Sequence, residues 1–418
     1  MTRYVILGNS AAGLAAINAI RQRGQDGPVT VVSKEPGPAY SCVALPYLLS
    51  RRKELGQIIL QGPEYYRANR VDLIAGVGAS GLDTRSQTVR LEDGRSLPYD
   101  KLLIATGSLP QVPSVQGIEE VDVCYHWTLA DTRKAEEKAR GAKSCLVIGA
   151  GFISLLTVSA LTHVARLRYT VVELADQVMP QLLDSEGAGA LERGMREGEI
   201  EVMLGDEVSA IERRRGDGYE VYLKSGKTFD ADMIICGAGV RPNIDFLRGS
   251  GLELSRGILT NERQETNLPH VYAAGDCAEG FDLFSGQRAI HAIWPTAVDQ
   301  GWVAGANMTG NPQTYPGSLS CNVTELFGLA CASIGEFRTA EGREPIVFRN
   351  PKGNVYRKLL LQDGRIVGAV VVGRAEHVQD MGVIQAMIRR RTAISRWRPM
   401  LGRERINYGM LAYESAKR

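Results

Sequence analysis

The chain predicts an α/β protein: two doubly wound modules with parallel sheets, followed by a smaller α+β C-terminal domain. Three observations carry this. A short apolar run, a glycine-rich turn and an apolar helix follow one another twice, from Tyr4 and again from Cys145. Each copy continues into a second apolar run closed by an acidic residue, Glu35 and Glu173. Beyond residue 313 the pattern changes to strand-like alternation around Lys358 to Val372, with a turn at Asp363-Gly364.

Length and composition agree with that division. A chain of 418 residues exceeds one ordinary hydrophobic core. With 44% hydrophobic and 23% charged residues it reads as globular rather than disordered. The net charge of +2 gives no electrostatic footprint for nucleic acid. Seven cysteines, Cys42, Cys124, Cys145, Cys236, Cys277, Cys321 and Cys331, are scattered, and no two form a CxxC pair. That usage predicts a reducing, cytoplasmic compartment rather than a disulfide scaffold. The chain starts at once with the strand-like Tyr4 to Leu7, without a signal-peptide pattern. The uncharged run Cys145 to Ala165 is long enough to span a bilayer, but Gly149-Ala150-Gly151 interrupts it. A buried strand, a tight turn and a buried helix are expected there, and no membrane span.

In the first copy Tyr4 to Leu7 reads as a buried parallel strand. Gly8-Asn9-Ser10-Ala11-Ala12-Gly13 follows, then a helix over Leu14 to Arg23 and a strand over Val29 to Ser33. The first glycine permits the turn, a small middle residue lets the backbone approach a pyrophosphate, and the last glycine packs helix on strand. Ser10 stands at the middle position; it is small, and its hydroxyl can donate to phosphate. The diphosphate then lies at a helix N-terminus, where free N–H groups and the dipole favour anions. Glu35 is placed to accept from ribose hydroxyls. Gly8, Ser10, Ala11, Ala12, Gly13 and Glu35 are therefore candidate dinucleotide-binding residues.

The second copy runs Cys145 to Ile148, then Gly149-Ala150-Gly151-Phe152-Ile153-Ser154, a helix, and a strand Tyr169 to Val172 ending at Glu173. Ser154 replaces the third glycine. Gly149, Gly151, Phe152, Ile153 and Glu173 are the candidates here. A carboxylate at this strand end favours a free 2′-hydroxyl and repels a 2′-phosphate, so NAD(H) is expected over NADP(H).

With both motifs in place, the chain resembles the pyridine nucleotide–disulfide oxidoreductase superfamily, the flavoproteins with two dinucleotide sites. Three further segments carry the resemblance: Tyr99 to Ser108, containing Ala105-Thr106-Gly107; Cys236 to Asn243, containing Gly239; and Val271-Tyr272-Ala273-Ala274-Gly275-Asp276. The resemblance implies two Rossmann-like domains, one for FAD and one for NAD. It places the FAD domain at residues 1–112 and 242–312, the NAD domain at 113–241, and an interface or dimerisation-like domain at 313–418. It assigns Asp276 to the ribityl chain of FAD. It also places the helix beginning near Trp294-Pro295-Thr296-Ala297 with its N–H groups toward the flavin's pyrimidine edge. Prolines in Leu109 to Pro113 and at Pro242 suit the crossings between domains.

Two departures separate readings of function. Disulfide-reducing members carry a CxxxxC pair after the first domain's second strand; this chain has only Cys42, in Tyr40-Ser41-Cys42-Val43-Ala44-Leu45-Pro46-Tyr47. Single-cysteine NADH oxidases and coenzyme A-disulfide reductases place a redox cysteine in this region. The disulfide reductases typically read Cys-x-Leu-Pro-Tyr, one residue shorter than here. Cys42 is thus either a catalytic thiol or a small packing residue. At Leu156, relatives usually carry a glutamate near the nicotinamide. The Tyr40 to Tyr47 segment also resembles flavoprotein subunits of larger complexes, such as phenylglyoxylate dehydrogenase-type 2-oxoacid oxidoreductases.

The resemblance therefore implies an FAD-dependent enzyme moving electrons between NAD(H) and an iron–sulfur or ferredoxin-like protein or subunit. The alternatives are a stand-alone single-cysteine NADH oxidase or coenzyme A-disulfide reductase-like enzyme, and a structural subunit with a vestigial NAD site. A homodimer or a hetero-oligomer suits the implied C-terminal domain. Basic stretches at Arg51-Arg52-Lys53 and from Arg389 to Arg398 read as solvated faces or as docking surface for an acidic partner. His126, His163, His270, His291 and His377 lack metal-ligand spacing, and no metal site is expected.

Overall fold

The computed structural model describes residues 1–394 and 398–403, so Arg396 and Trp397 of the basic stretch lie outside the described residues. The described chain forms two compact units. The first holds Met1–Leu45, Lys53–Pro110 and Val240–Leu319; the second holds Pro46–Arg52, Gln111–Gly239 and the chain from Ser320 on.

A five-stranded parallel sheet organises the first unit, in the order Val271–Ala273, Lys101–Ile104, Tyr4–Leu7, Val29–Ser33, Val71–Ala75. Covered on both faces, its central strand is apolar throughout: Tyr4 to Leu7 are all buried. Register brings the carboxyl ends level. Leu7 pairs with Val32 and with Ile104, and Ile104 pairs with Ala273. Gly8, Glu35, Ala105 and Gly275 consequently emerge along one edge, where open α/β sheets bind their ligands. Two helices, Ala11–Gln22 and Trp294–Met308, pack together closely. Their contact needs small residues: a Cβ on Gly301 would lie 2.2 Å from the Ala12 carbonyl oxygen.

In the second unit a four-stranded parallel sheet runs Glu201–Leu204, Arg168–Glu173, Ser144–Ile148, Met233–Cys236. Ile148 pairs with Val172 and Cys236, so Gly149, Glu173 and Gly237 share the carboxyl edge. The uncharged run from Cys145 resolves into the strand Ser144–Ile148, a turn and the helix Phe152–Leu161. Among the described residues no helix is long and apolar enough to cross a membrane.

The C-terminal part is a five-stranded antiparallel sheet, ordered Cys321–Leu326, Leu329–Gly335, Arg365–Gly373, Val355–Gln362, Glu344–Asn350. Asp363 and Gly364 both have positive φ and form the hairpin turn. Alternation, expected along Lys358 to Val372, does not describe burial there. Val355 to Leu361 are all buried. The helices Ser185–Glu197 and Met381–Arg389 both pack on these strands, so neither face is simply wet. Charged strand residues are buried with partners: Lys358 pairs with Asp184, and an Arg357 guanidinium N–H donates to the Leu401 carbonyl at 3.2 Å. Leu326, Tyr356 and Val370 belong to the same core as Val158, Leu191 and Met195.

Proline-containing segments at the ends of the first unit's pieces are not loose loops. Ser108–Pro110 pairs antiparallel with Val240–Pro242, forming a two-stranded ribbon. A ribbon of two edge strands is where proline is tolerated.

Candidate functional site

At the first motif the sequence dictates a turn that only glycine accommodates. Gly8 has φ of +128°, and a Cβ on it would sit 2.0 Å from the Ala105 carbonyl oxygen. Gly13 is equally constrained: its Cβ would lie 2.1 Å from the Gly8 oxygen. Between them the helix starts at Ala11 with Ser10 as its N-cap. The exposed Ser10 side chain makes no capping hydrogen bond, and the first turn contains no acidic residue. The N–H groups there are left for an anion, which fits the diphosphate of FAD.

Around this turn a hydroxyl network holds the loop. The Ala39 N–H donates to the Tyr66 hydroxyl at 3.0 Å, which donates to Asn9 Oδ1 at 3.0 Å. The Tyr40 hydroxyl donates to the Glu35 carboxylate, so Glu35 is already oriented at its strand end. Neither tyrosine belongs to the glycine motif; Tyr40 meets Glu35 from five residues on, whereas Tyr66 reaches Asn9 across 57 positions.

The second and third segments close the same edge. Ala105 donates its N–H to Leu7 at 2.8 Å, continuing the strand. The Thr106 hydroxyl donates to the Asn243 carbonyl at 2.7 Å, and the Gly107 carbonyl accepts from the Asn243 N–H at 3.0 Å. Gly275, φ +80°, lies between Ala12 and Ala297, each methyl 3.5 Å from where its Cβ would be. Its N–H donates to the buried Gln300 side chain at 2.8 Å. Asp276 follows, accepting from the Ser108 hydroxyl at 2.6 Å. Burial pushes the Asp276 carboxyl up from its usual range, while the Ser108 hydrogen bond opposes this. A desolvated carboxylate beside this edge fits the sugar-like hydroxyls of a ribityl chain. Helix Trp294–Met308 begins without a side-chain cap or acidic residue in its first turn. Trp294 packs partly against the core of the unit.

Cys42 lies on a 3-10 turn, Cys42–Ala44, and is exposed. It is therefore not a buried packing residue. Its thiol is nonetheless pushed up to about 11, first by the protein hemming it in and then by the Asp276 carboxylate. Glu35 adds a smaller push in the same direction.

At the second motif Gly149, φ +89°, turns the chain, and Gly151 is the N-cap of the helix containing Phe152 and Ile153. No acidic residue occupies its first turn. Glu173 is fixed by two backbone donors, Ala150 N–H at 2.6 Å and Ala175 N–H at 2.9 Å. Leu156 packs against the core of the second unit. Gly239 is exposed, with its carbonyl accepting from the Gln111 N–H at 2.9 Å; the residue against the glycine turn is Gly237.

Residues 2–301 match the pyridine nucleotide-disulphide oxidoreductase family, and residues 322–391 match the rubredoxin NAD+ reductase C-terminal domain. The chain belongs to the pyridine nucleotide-disulphide oxidoreductase family. It is an FAD-dependent NAD(H) oxidoreductase. The NADH-dependent phenylglyoxylate dehydrogenase subunit epsilon of Aromatoleum evansii is 33% identical, over 94% of this chain and 93% of that one. An NADH oxidase of Methanocaldococcus jannaschii is 30% identical, over 91% and 90%. A solved NAD-dependent persulfide reductase of A. fulgidus superposes with a TM-score of 0.83 at 28% identity, covering 94% of this chain and 78% of that one.

Within this flavoenzyme Tyr66 and Gln300 lie outside every segment singled out in the sequence, while Tyr40, Ser108 and Gly237 lie within such segments but only the structure gives them contacts. Gln300 leaves a usable trace, as a polar residue in a largely apolar helix face. Ser108 closes the segment that contains Ala105-Thr106-Gly107, but nothing in its position signals Asp276.

Proposed function

We propose that the flavoenzyme moves electrons between NAD(H) and an iron–sulfur protein or subunit, as the flavoprotein subunit of a phenylglyoxylate-type 2-oxoacid dehydrogenase. The observation that carries this reading is the 33% identity to the epsilon subunit over nearly the full length of both chains. Bound FAD would supply the exchange between hydride transfer and single-electron release.

In this proposal residues 1–112 and 242–312 hold FAD, 113–241 hold NAD, and 313–418 form an interface domain. Gly8, Ser10, Ala11, Ala12 and Gly13 take the FAD diphosphate, and Glu35 its ribose. Ala105, Thr106, Gly107, Gly275, Asp276 and Ala297 surround the rest of that cofactor. Gly149, Gly151, Phe152, Ile153, Gly239 and Glu173 serve NAD(H). All seven cysteines are free, which supports a reducing cytoplasmic setting. Assembly as a homodimer or within a hetero-oligomer belongs to the same proposal.

A second reading, a stand-alone NADH oxidase or coenzyme A-disulfide reductase-like enzyme, draws on the NADH oxidase relative. This reading requires Cys42 as a thiolate, because attack on a disulfide or peroxide needs that form, and it is decided by Cys42→Ser.

Anaerobic titration of the holoprotein with NADH, followed by its visible spectrum, tests the proposal. Flavin bands should bleach, and rubredoxin or a ferredoxin should restore them faster than oxygen, peroxide or coenzyme A disulfide. Preferential re-oxidation by a disulfide or peroxide, abolished in Cys42→Ser, would install the second reading. Bands that persist with excess NADH would remove hydride transfer from the isolated chain.

A further inference from the structure

We infer that Gly237, acting with Ser154, holds the second glycine turn in the shape that admits a dinucleotide diphosphate. This rests on the NAD(H) reading of that motif and deepens it. Ser154 occupies the position where the motif expects its third glycine. Its side chain is fully buried, with 0% exposure, so its hydroxyl cannot reach a ligand; it donates instead to the Gly151 carbonyl at 3.3 Å.

Gly237 is the first residue after the strand Met233–Cys236, and its N–H donates to the Ile148 carbonyl at 2.9 Å. A Cβ there would lie 2.7 Å from Ser154 Oγ and 2.8 Å from Ser154 Cβ. The same residue presents its carbonyl oxygen 2.8 Å from where a Gly149 Cβ would be and 3.7 Å from that of Gly151. One backbone unit thus abuts all three defining positions of the turn. A side chain at 237 has no room unless the start of helix Phe152–Leu161 moves, and that start carries the N–H groups suited to an anion.

The first module is built differently, its third position being constrained by the Gly8 carbonyl oxygen, 2.1 Å from where a Gly13 Cβ would be. Its third position is Gly13, and the residue that follows its corresponding strand, Lys101–Ile104, is Ala105. A side chain is present at Ala105 and absent at Gly13; it is absent at Gly237 and present at Ser154. Ser154 is therefore an accommodated side chain rather than a mark of a decayed site, and Gly237 is a positioning residue.

The test is calorimetric binding of NAD+ to FAD-loaded protein in three forms: the natural chain, Gly237→Ala, and Ser154→Gly/Gly237→Ala. Overpacking against the turn should weaken NAD+ binding in Gly237→Ala by about tenfold or more, with FAD content unchanged. Removing the Ser154 side chain in the double variant should recover most of the loss. Binding by Gly237→Ala within about twofold of the natural chain, or a double variant no better than the single, would overturn the inference. If Gly237→Ala does not fold, the double variant decides: soluble and NAD+-binding supports the inference, insoluble or non-binding defeats it. A natural chain that binds no NAD+ would instead defeat the NAD(H) reading on which the inference rests.

Discussion

A thiolate attacks and a thiol does not, so the direction in which a cysteine is pushed decides its chemistry. At Cys42 the surrounding protein and the Asp276 carboxylate both favour the neutral thiol, which titrates only at about 11. A group whose pKa is raised stays protonated until the pH climbs past its usual value. Alkylation of Cys42 by iodoacetamide, followed on its peptide by mass spectrometry, should therefore quicken about tenfold per pH unit from neutrality to beyond pH 9. A plateau reached near pH 8 would show a low-pKa thiol and sink this account. Asp276 supplies the second test. It is a desolvated carboxylate with a 2.6 Å hydrogen bond from Ser108. Hydrogen bonds to charged groups contribute about 1.5–3 kcal/mol, so Asp276→Ala should weaken FAD binding at least about tenfold. Equilibrium dialysis of FAD measures this; unchanged retention would remove Asp276 from the cofactor site.

Helices meet closely only where side chains are small. Gly301 lies against the backbone of Ala12, and Gly305 against that of Ala16, with Cβ distances of 2.2 Å and 2.6 Å to the respective carbonyl oxygens. Backbone cannot swing aside as a flexible side chain does. Gly301→Ala should lower stability by about 1–3 kcal/mol, seen as a lower Tm. Gly189 is the contrasting case. It sits inside the helix Ser185–Glu197, where a Cβ would meet nothing nearer than Arg193 Nη1 at 3.9 Å. Gly189→Ala should raise stability by about 0.5–1 kcal/mol by removing backbone freedom from the unfolded chain. Equal effects of the two substitutions in thermal unfolding would show that helix contact is not what constrains Gly301. Both glycine-rich turns were readable in advance because strand, turn and helix are contiguous and each has its own residue pattern. The strands around Lys358 and the turn at Asp363-Gly364 were readable too, but the burial of their charged residues was not. Those residues find partners in Asp184 and Leu401, far away in sequence, and local alternation carries no information about them.

Coenzyme choice is a property of the working molecule, and Glu173 is where it is argued. Two backbone N–H groups hold its carboxylate at the strand end. That fixed negative charge would accept from a ribose 2′-hydroxyl and repel a 2′-phosphate. NADH should reduce the enzyme-bound flavin at least about tenfold faster than NADPH at equal concentration, measured by anaerobic stopped flow. Equal rates would move the determinant away from Glu173.

The sequence by itself determined that the fold is α/β with a twice-used nucleotide module, because buried parallel strands, glycine turns and closing acids are short-range patterns. It also placed Gly8, Glu35, Gly149, Glu173, Gly275 and Asp276 at or just beyond strand ends and Gly13 at the start of a helix, because each follows a short apolar run or a glycine turn. What stands behind those residues was set by how the elements pack in the folded chain. Tyr66 reaches Asn9 across 57 positions, Ser108 reaches Asp276 across 168, and Gly237 meets Ser154 from a different strand. Contacts of that kind depend on which elements the fold makes neighbours, and a linear pattern does not encode the neighbour. The state of Cys42 belongs to the same class: its identity is a letter, but its thiol is set by the charges and the excluded water that the folded chain gathers round it.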